Sequence, residues 1–192
     1  MSSVVVFMAD GMEMCECLIT VDILRRARID VTTASAMGRN EVTSSHKVRI
    51  IADELAENID YDKADMIILP GGRVGTENLA ASETVMEQIR AFTGSDKKKW
   101  VAAICAAPSI LAKIGLLEGN RATCHPDFED KMGGAILRGE SVVVNGDLIM
   151  GRALGATFDF AFAIVRILAG KDAELKIRNA ICYEMDPSDS NN

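Results

Sequence analysis

Short apolar runs of strand length alternate with stretches of helical periodicity along almost the whole chain, and this alternation most narrows what it can fold into. Val4–Met8, Val31–Ala34, Val48–Ile51, Met66–Leu69 and Val101–Ile104 are apolar and largely β-branched. Between the first two, Met14–Ile29 places Met14, Leu18, Val21 and Leu24 on one helical stripe. Thr84–Phe92 repeats that logic with Val85, Met86, Ile89 and Phe92, and Ala106–Ile114 and Phe158–Leu168 read as buried helices stopped by Gly115 and Gly170. Val142–Val144, Asn145-Gly146 and Leu148–Met150 predict a β-hairpin with a two-residue turn. Strands alternating with covering helices imply an α/β fold, a mainly parallel sheet sandwiched by helices. Neither a repeat nor a linker divides the chain, so residues 1–185 are predicted to form one domain, with the polar 186–192 a flexible tail.

Charge and cysteine usage exclude several functions. A net charge of −7 argues against a non-specific nucleic-acid binder. The longest apolar runs are far too short to span a bilayer, and the segment before Val4 has no basic region of the kind that opens a secretion signal. The five cysteines, Cys15, Cys17, Cys105, Cys124 and Cys182, are odd in number and form no C-x-x-C, which points to reduced thiols and a cytoplasmic setting. A metal site built from Cys15, Cys17, Cys124 and His125 matches no recognisable zinc spacing, so no metal is expected. Lys97-Lys98-Lys99 reads as a solubilising loop.

Ligands of open parallel sheets bind outside the carboxyl ends of the strands. Three such ends carry reactive or turn-forming residues: Asp10–Glu16, Leu69-Pro70-Gly71-Gly72 and Ile104-Cys105-Ala106-Ala107-Pro108. A thiol at the junction of a buried strand and a helix faces unpaired N–H groups, which favours thiolate and a pKa of roughly 3.5–7.5. The competing reading is an inert buried cysteine. Glu16 either complements the helix dipole, as Glu13 also could, or leans over Cys105 as a protonated acid or base. Gly71 and Gly72 form a turn, or let backbone N–H groups join that of Ala106 in an oxyanion site. His125 is either a base for the thiol or a structural loop residue, and is a better base candidate than His46.

At these residues the chain resembles the ThiJ/PfpI superfamily, most closely its Parkinsonism-associated protein deglycase branch. The resemblance rests on Glu16 with the Leu18–Ala27 stretch, Asp65–Gly72, Ala102–Pro108, Thr123–Pro126 and Gly155–Ile164, in that order. It implies a flavodoxin-like, class I glutamine amidotransferase-like fold and a homodimer. It also implies Cys105 as nucleophile, Glu16 as its hydrogen-bonded carboxyl, Gly72 and Ala106 as backbone donors, with His125 and Arg152 near the pocket. Two positions depart from the branch: Ala107 replaces a usual glycine, and His46 stands where an arginine often crosses the dimer. The implied function is a cofactor-independent glyoxalase or protein deglycase. Such an enzyme converts a small reactive carbonyl such as methylglyoxal, or a glyoxal adduct, to a hydroxy acid without glutathione and protects against oxidative stress. The alternatives are a non-enzymatic redox sensor or chaperone using Cys105, a cysteine peptidase, disfavoured for want of an acidic partner to His125, and a glutaminase-like amidase, disfavoured for want of a terminal His-x-Glu.

Overall fold

The computed structural model describes residues 2–183, so the expected tail at 186–192 lies outside the described residues. Strands β1 (Ser3–Met8), β2 (Asp30–Ser35), β5 (Glu54–Leu55), β6 (Met66–Leu69), β7 (Trp100–Ile104), β10 (Val142–Asn145) and β11 (Leu148–Gly151) make one sheet. Its order is β10-β11-β7-β6-β1-β2-β5, and every pairing is parallel except β10–β11. The helices are α1 (Met14–Arg26), α2 (Arg73–Ala81), α3 (Glu83–Thr93), α4 (Pro108–Lys113), α5 (Thr157–Ala169) and α6 (Lys171–Ala180). Two short pairs, β3 (Glu41–Thr43) with β4 (Arg49–Ile51) and β8 (Arg121–Ala122) with β9 (Ile136–Leu137), stand apart from the main sheet.

Successive side chains of a strand point to opposite faces, and both faces here are covered. Val5, Phe7, Ile67, Leu69, Val101 and Ala103 pack with Leu79, Val85, Ile89 and Leu111 of α2, α3 and α4. Val4, Val6, Met8, Met66, Ile68, Ala102 and Ile104 pack with Val21 and Leu24 of α1 and Phe160 and Ile164 of α5. The fold is therefore the single-domain, mainly parallel α/β sandwich that the alternation predicts.

Four local expectations change. The Val48–Ile51 run is not a strand of the main sheet: it becomes β4, antiparallel to β3, with Ile50 packed on the core and Ile51 76% exposed, so only one of its faces is covered. The main-sheet edge beside β2 goes instead to the short β5. Helix α1 stops at Arg26, not Ile29. Arg28 enters the left-handed region, and the Ile29 N–H returns to Leu24 O at 3.1 Å, a helix-closing turn. Helices α2 and α6 were not anticipated, since few large apolar side chains face inward from them, Leu79 from α2 and Ile177 from α6. Lys99 is more than a solubilising residue: its Nζ donates to Tyr61 O at 2.8 Å and Ala64 O at 3.0 Å, tying the loop before β6 to the start of β7.

Candidate active site

Cys105 is the first residue after β7, and its φ of +65° is unusual for a residue with a Cβ. That conformation costs on the order of 1–2 kcal/mol and is held from both sides. The Cys105 N–H donates to Gly151 O at 3.0 Å at the end of β11, and its carbonyl accepts from His125 N–H at 2.8 Å. The chain then turns before α4 begins at Pro108, two residues later than the sequence suggests, because Ala107 N–H closes a turn onto Ile104 O at 3.1 Å. The backbone N–H groups of Ala106 and Gly72 both point at the Cys105 sulfur. Ala107 is fully buried in right-handed conformation, so its methyl is accommodated where the branch usually has glycine.

The two acidic residues at the start of α1 separate into distinct roles. Glu13 is the N-cap, its carboxylate accepting from Cys15 N–H at 3.2 Å. Glu16 turns inward and is 1% exposed. Its Oε2 accepts from Gly71 N–H at 2.9 Å, while Oε1 is buried without a conventional partner and the carboxyl faces the Cys105 thiol. Gly71 is required by space: a Cβ there would stand 2.6 Å from both Cys105 Cβ and Glu16 Oε2. Gly72, with φ +88°, is in the region that favours glycine, and a Cβ there would meet Glu13 N at 2.7 Å.

Electrostatics correct the expectation of a simple low-pKa thiol. Burial pushes the Glu16 carboxyl up to about 7 against the pull of Cys105 and Gly71, with the charge of Glu13 pushing the same way. Burial and the neighbouring Glu16 charge push the Cys105 thiol up to about 12, and the Gly72 and Ala106 donors only partly offset them. These two groups face one another and titrate as a pair. The first proton leaves near neutrality and the second only in strong alkali. Between those limits the pair carries one negative charge and one proton, as carboxylate with thiol or as carboxylic acid with thiolate. The N–H donors at sulfur and the unpaired Oε1 both suit the second arrangement.

The Glu16 shift carries a stability consequence. A carboxyl raised from an ordinary 4.5 to about 7 binds its proton more tightly in the fold. Its contribution to stability is full below pH 4.5 and is lost as pH rises through 7, an effect on the order of 3 kcal/mol. Glu16→Gln is therefore expected to gain melting temperature relative to wild type between pH 4.5 and 8. Parallel melting curves across that range would contradict the assignment.

The remaining predicted residues are less central. His125 touches Cys105 through its backbone, and its ring Nδ1 accepts from Asp127 N–H at 3.2 Å, capping the turn at Pro126–Lys131. An acidic neighbour that sequence reading did not find is present, since Asp127 Oδ2 lies 3.9 Å from that nitrogen. Because Nδ1 already accepts a hydrogen bond, it does not also donate one to that carboxylate. Arg152 packs its guanidinium against Gly139 and lies near Cys124, where its charge partly offsets a rise caused by burial. His46 stands 3.7 Å from Glu13 Oε2 and is exposed. Cys15 and Cys17 sit two apart on α1 and so face different ways; among the described residues no group of three or more metal-binding side chains converges. Sequence reasoning missed Gly151 and Gly75, the second packed so closely on Met12 that a Cβ would lie 2.5 Å from its Cα. Neither stands in a motif that marks it. No helix among the described residues is long and apolar enough to cross a membrane.

A parallel α/β sandwich with a left-handed cysteine at one strand end, overhung by a buried carboxyl from the first helix, defines a thiol-centred protein of the flavodoxin-like class. The chain belongs to the DJ-1/PfpI family, whose sequence profile matches residues 2–167. It is 36% identical over 172 residues to Protein dj-1beta of Drosophila melanogaster, covering 88% of this chain and 91% of that protein. It is 28% identical over 183 residues to the Glutathione-independent glyoxalase DJR-1.2 of Caenorhabditis elegans, covering 94% and 96%. Against Protein DJ-1 homolog B of Arabidopsis thaliana, 34% identical, it spans 40% of the relative's length. The crystal structure of Drosophila DJ-1beta superposes with a TM-score of 0.88 at 33% identity, covering 96% of this chain and 99% of that one. The oxidized Toxoplasma gondii DJ-1 gives 0.90 at 28%, covering 96% and 100%.

Proposed function

We propose that this protein is a cysteine-dependent glyoxalase or deglycase that converts methylglyoxal, or glyoxal adducts, to hydroxy acids without glutathione. The observation that carries the reading is the Cys105–Glu16 pair: a thiol met by two backbone N–H groups and by a carboxyl that titrates near neutrality. The name of the Caenorhabditis relative supports the same chemistry. The thiolate adds to the aldehyde carbon of methylglyoxal, and the new alkoxide takes the Glu16 proton, giving a hemithioacetal. Glu16, now a carboxylate, removes the remaining hydrogen from that carbon to leave an enediolate and returns that proton to the neighbouring carbon, while the hydroxyl proton of the first carbon passes to the neighbouring oxygen. The product is a thioester, and water hydrolyses it to lactate and free thiol. One carbon is oxidised and its neighbour reduced, so no external electron carrier is needed. The N–H groups of Gly72 and Ala106 stabilise negative charge at the reacting end, and Gly71 holds the carboxyl in place. Proton NMR of methylglyoxal with the protein, glutathione absent, tests the reading by the appearance of lactate.

A second reading, oxidation sensing through Cys105, is favoured by the same N–H groups, which suit an oxidised sulfur as well as a thiolate, and by the oxidized Toxoplasma relative. Under graded peroxide, peptide mass mapping is expected to show oxygen at Cys105 before Cys124 or Cys182, and Glu16→Gln to make the resulting sulfinate less durable. Oxygen appearing first at the exposed Cys182 would contradict it.

The working unit is proposed to be a homodimer in the cytoplasm. Leu18 on α1 is 39% exposed, and Val48 and Ile51 are exposed on the β3–β4 hairpin. That hairpin packs on the first turn of α1, with Ser44 Oγ 3.7 Å from Met14 Sδ. A solution mass of twice the 20.7 kDa chain is expected at micromolar concentration. A monomer mass would contradict the dimer.

A further inference from the structure

A groove of about 390 Å³ lies between α2, α4 and the turn at Pro126–Lys131, and nothing in the thiol chemistry uses it. Its apolar wall is made by Ile110 and Phe128, both almost fully buried. Around that wall stand Arg73, Lys113 and Lys131. Among the described residues neither lysine has a carboxylate partner, and Arg73 has only the distant Asp127 at 3.9 Å. Arg73 and Lys131 both lie over the Phe128 ring, 5.0 and 4.8 Å from its centre, so two of the three cations border the same aromatic wall. In a chain of net charge −7, three cations gathered at an apolar groove form a local reversal of charge.

Thr76, also in the groove wall and 5% exposed, adds an independent observation: its Oγ1 is buried with no hydrogen-bond partner. A buried hydroxyl without a partner is costly, and an acceptor seated in the groove would satisfy it. Glu77 in the same wall sets the limit on charge, because it repels a second negative group.

From these features we infer that the groove is a binding site for a small organic monocarboxylate with a compact apolar body, its carboxylate held among Arg73, Lys113, Lys131 and the Thr76 hydroxyl and its body against Ile110 and Phe128. Apolar pockets with a few convergent polar groups are the usual form of small-molecule sites, and this volume is within their range.

The probe is phenylacetate, which carries one carboxylate on an aromatic body. Phenylacetamide keeps the body without the charge, and acetate keeps the charge without the body. Titrated into the full chain and followed by amide 1H–15N shifts, phenylacetate is expected to produce saturable changes at Ser109–Lys113 and Phe128–Lys131. Phenylacetamide and acetate should each bind about tenfold more weakly, and Lys113→Gln/Lys131→Gln should weaken phenylacetate by about tenfold, the upper end for two partly exposed ion pairs. Equal binding of acid and amide, an unchanged affinity in the double variant, or the absence of saturable shifts in the groove would overturn the site. Shifts confined to Gly71, Cys105 and Ala106 would place the acid at the thiol instead and would equally overturn it. The wild-type comparison of acid with amide decides the matter even where the double variant fails to fold.

Discussion

Cys105→Ser is expected to abolish lactate formation from methylglyoxal, by about three orders of magnitude or more, while leaving the fold in place. Serine fits the same left-handed turn and keeps both backbone hydrogen bonds, so near-native circular dichroism and melting should accompany the loss. The lost activity follows from proton affinity. A carboxyl titrating near 7 can share a proton with a thiol, whereas a hydroxyl holds its proton far too tightly for Glu16 to take it. The buried thiols do not substitute. Burial pushes Cys17 up to about 12 and Cys124 up to about 11, the second only partly offset by the Arg152 charge. Cys105 is also raised, but part of its rise comes from the Glu16 charge, and that part vanishes when Glu16 accepts the proton. Cys182→Ser, at an exposed position, should change nothing measurable. Cys17→Ser, by contrast, places a hydroxyl at a fully buried site and is expected to cost about 1–3 kcal/mol of stability. Turnover by Cys105→Ser at a wild-type rate would remove the thiol from the mechanism.

Glu16→Gln is expected to lower the same turnover by about 10²–10⁴-fold, the usual range for loss of a positioned acid–base. The amide still fills the space beside Gly71, and its oxygen can still accept the Gly71 N–H. It cannot deliver a proton to the alkoxide and then collect one from carbon. The loss should therefore fall mainly on kcat, with KM little changed, because the groups that first meet the carbonyl are untouched. Loss of stability at neutral pH would not explain such a result, since this substitution is expected to stabilise the fold there. A variant that lost activity only through a raised KM would instead assign Glu16 to binding.

The central frame was legible because its causes are local. Val4–Met8, Met66–Leu69 and Val101–Ile104 are so uniformly apolar that only a strand covered on both faces accommodates them, and Asn145-Gly146 fixes its hairpin by turn chemistry, Gly146 taking φ +57°. The Val48–Ile51 run has the same local character, yet its place outside the main sheet depends on which surfaces the helices cover. The Cys105 position was equally legible as a strand end followed by small residues. Its charge state was not: the helix-start argument pulls the pKa down, whereas the decisive effects come from burial and from Glu16, 89 positions away in sequence. The Glu13–Glu16 ambiguity was resolved by rotation about α1, which sends one side chain to cap the helix and the other to the thiol. His125 and Arg152 owe their places to contacts distant in sequence: the His125 N–H holds the Cys105 carbonyl while its ring caps its own turn, and Arg152 packs on Gly139.

The most direct test of the Cys105–Glu16 account is acid-quench peptide mass analysis during the first turnover of methylglyoxal, without glutathione, on wild type and Glu16→Gln. The account predicts a single methylglyoxal unit on the peptide containing Cys105, transient in wild type and accumulating in the variant, whose proton transfers are blocked. Lactate formed while that peptide stays unmodified, with adducts only on Cys182 or lysines, would contradict it.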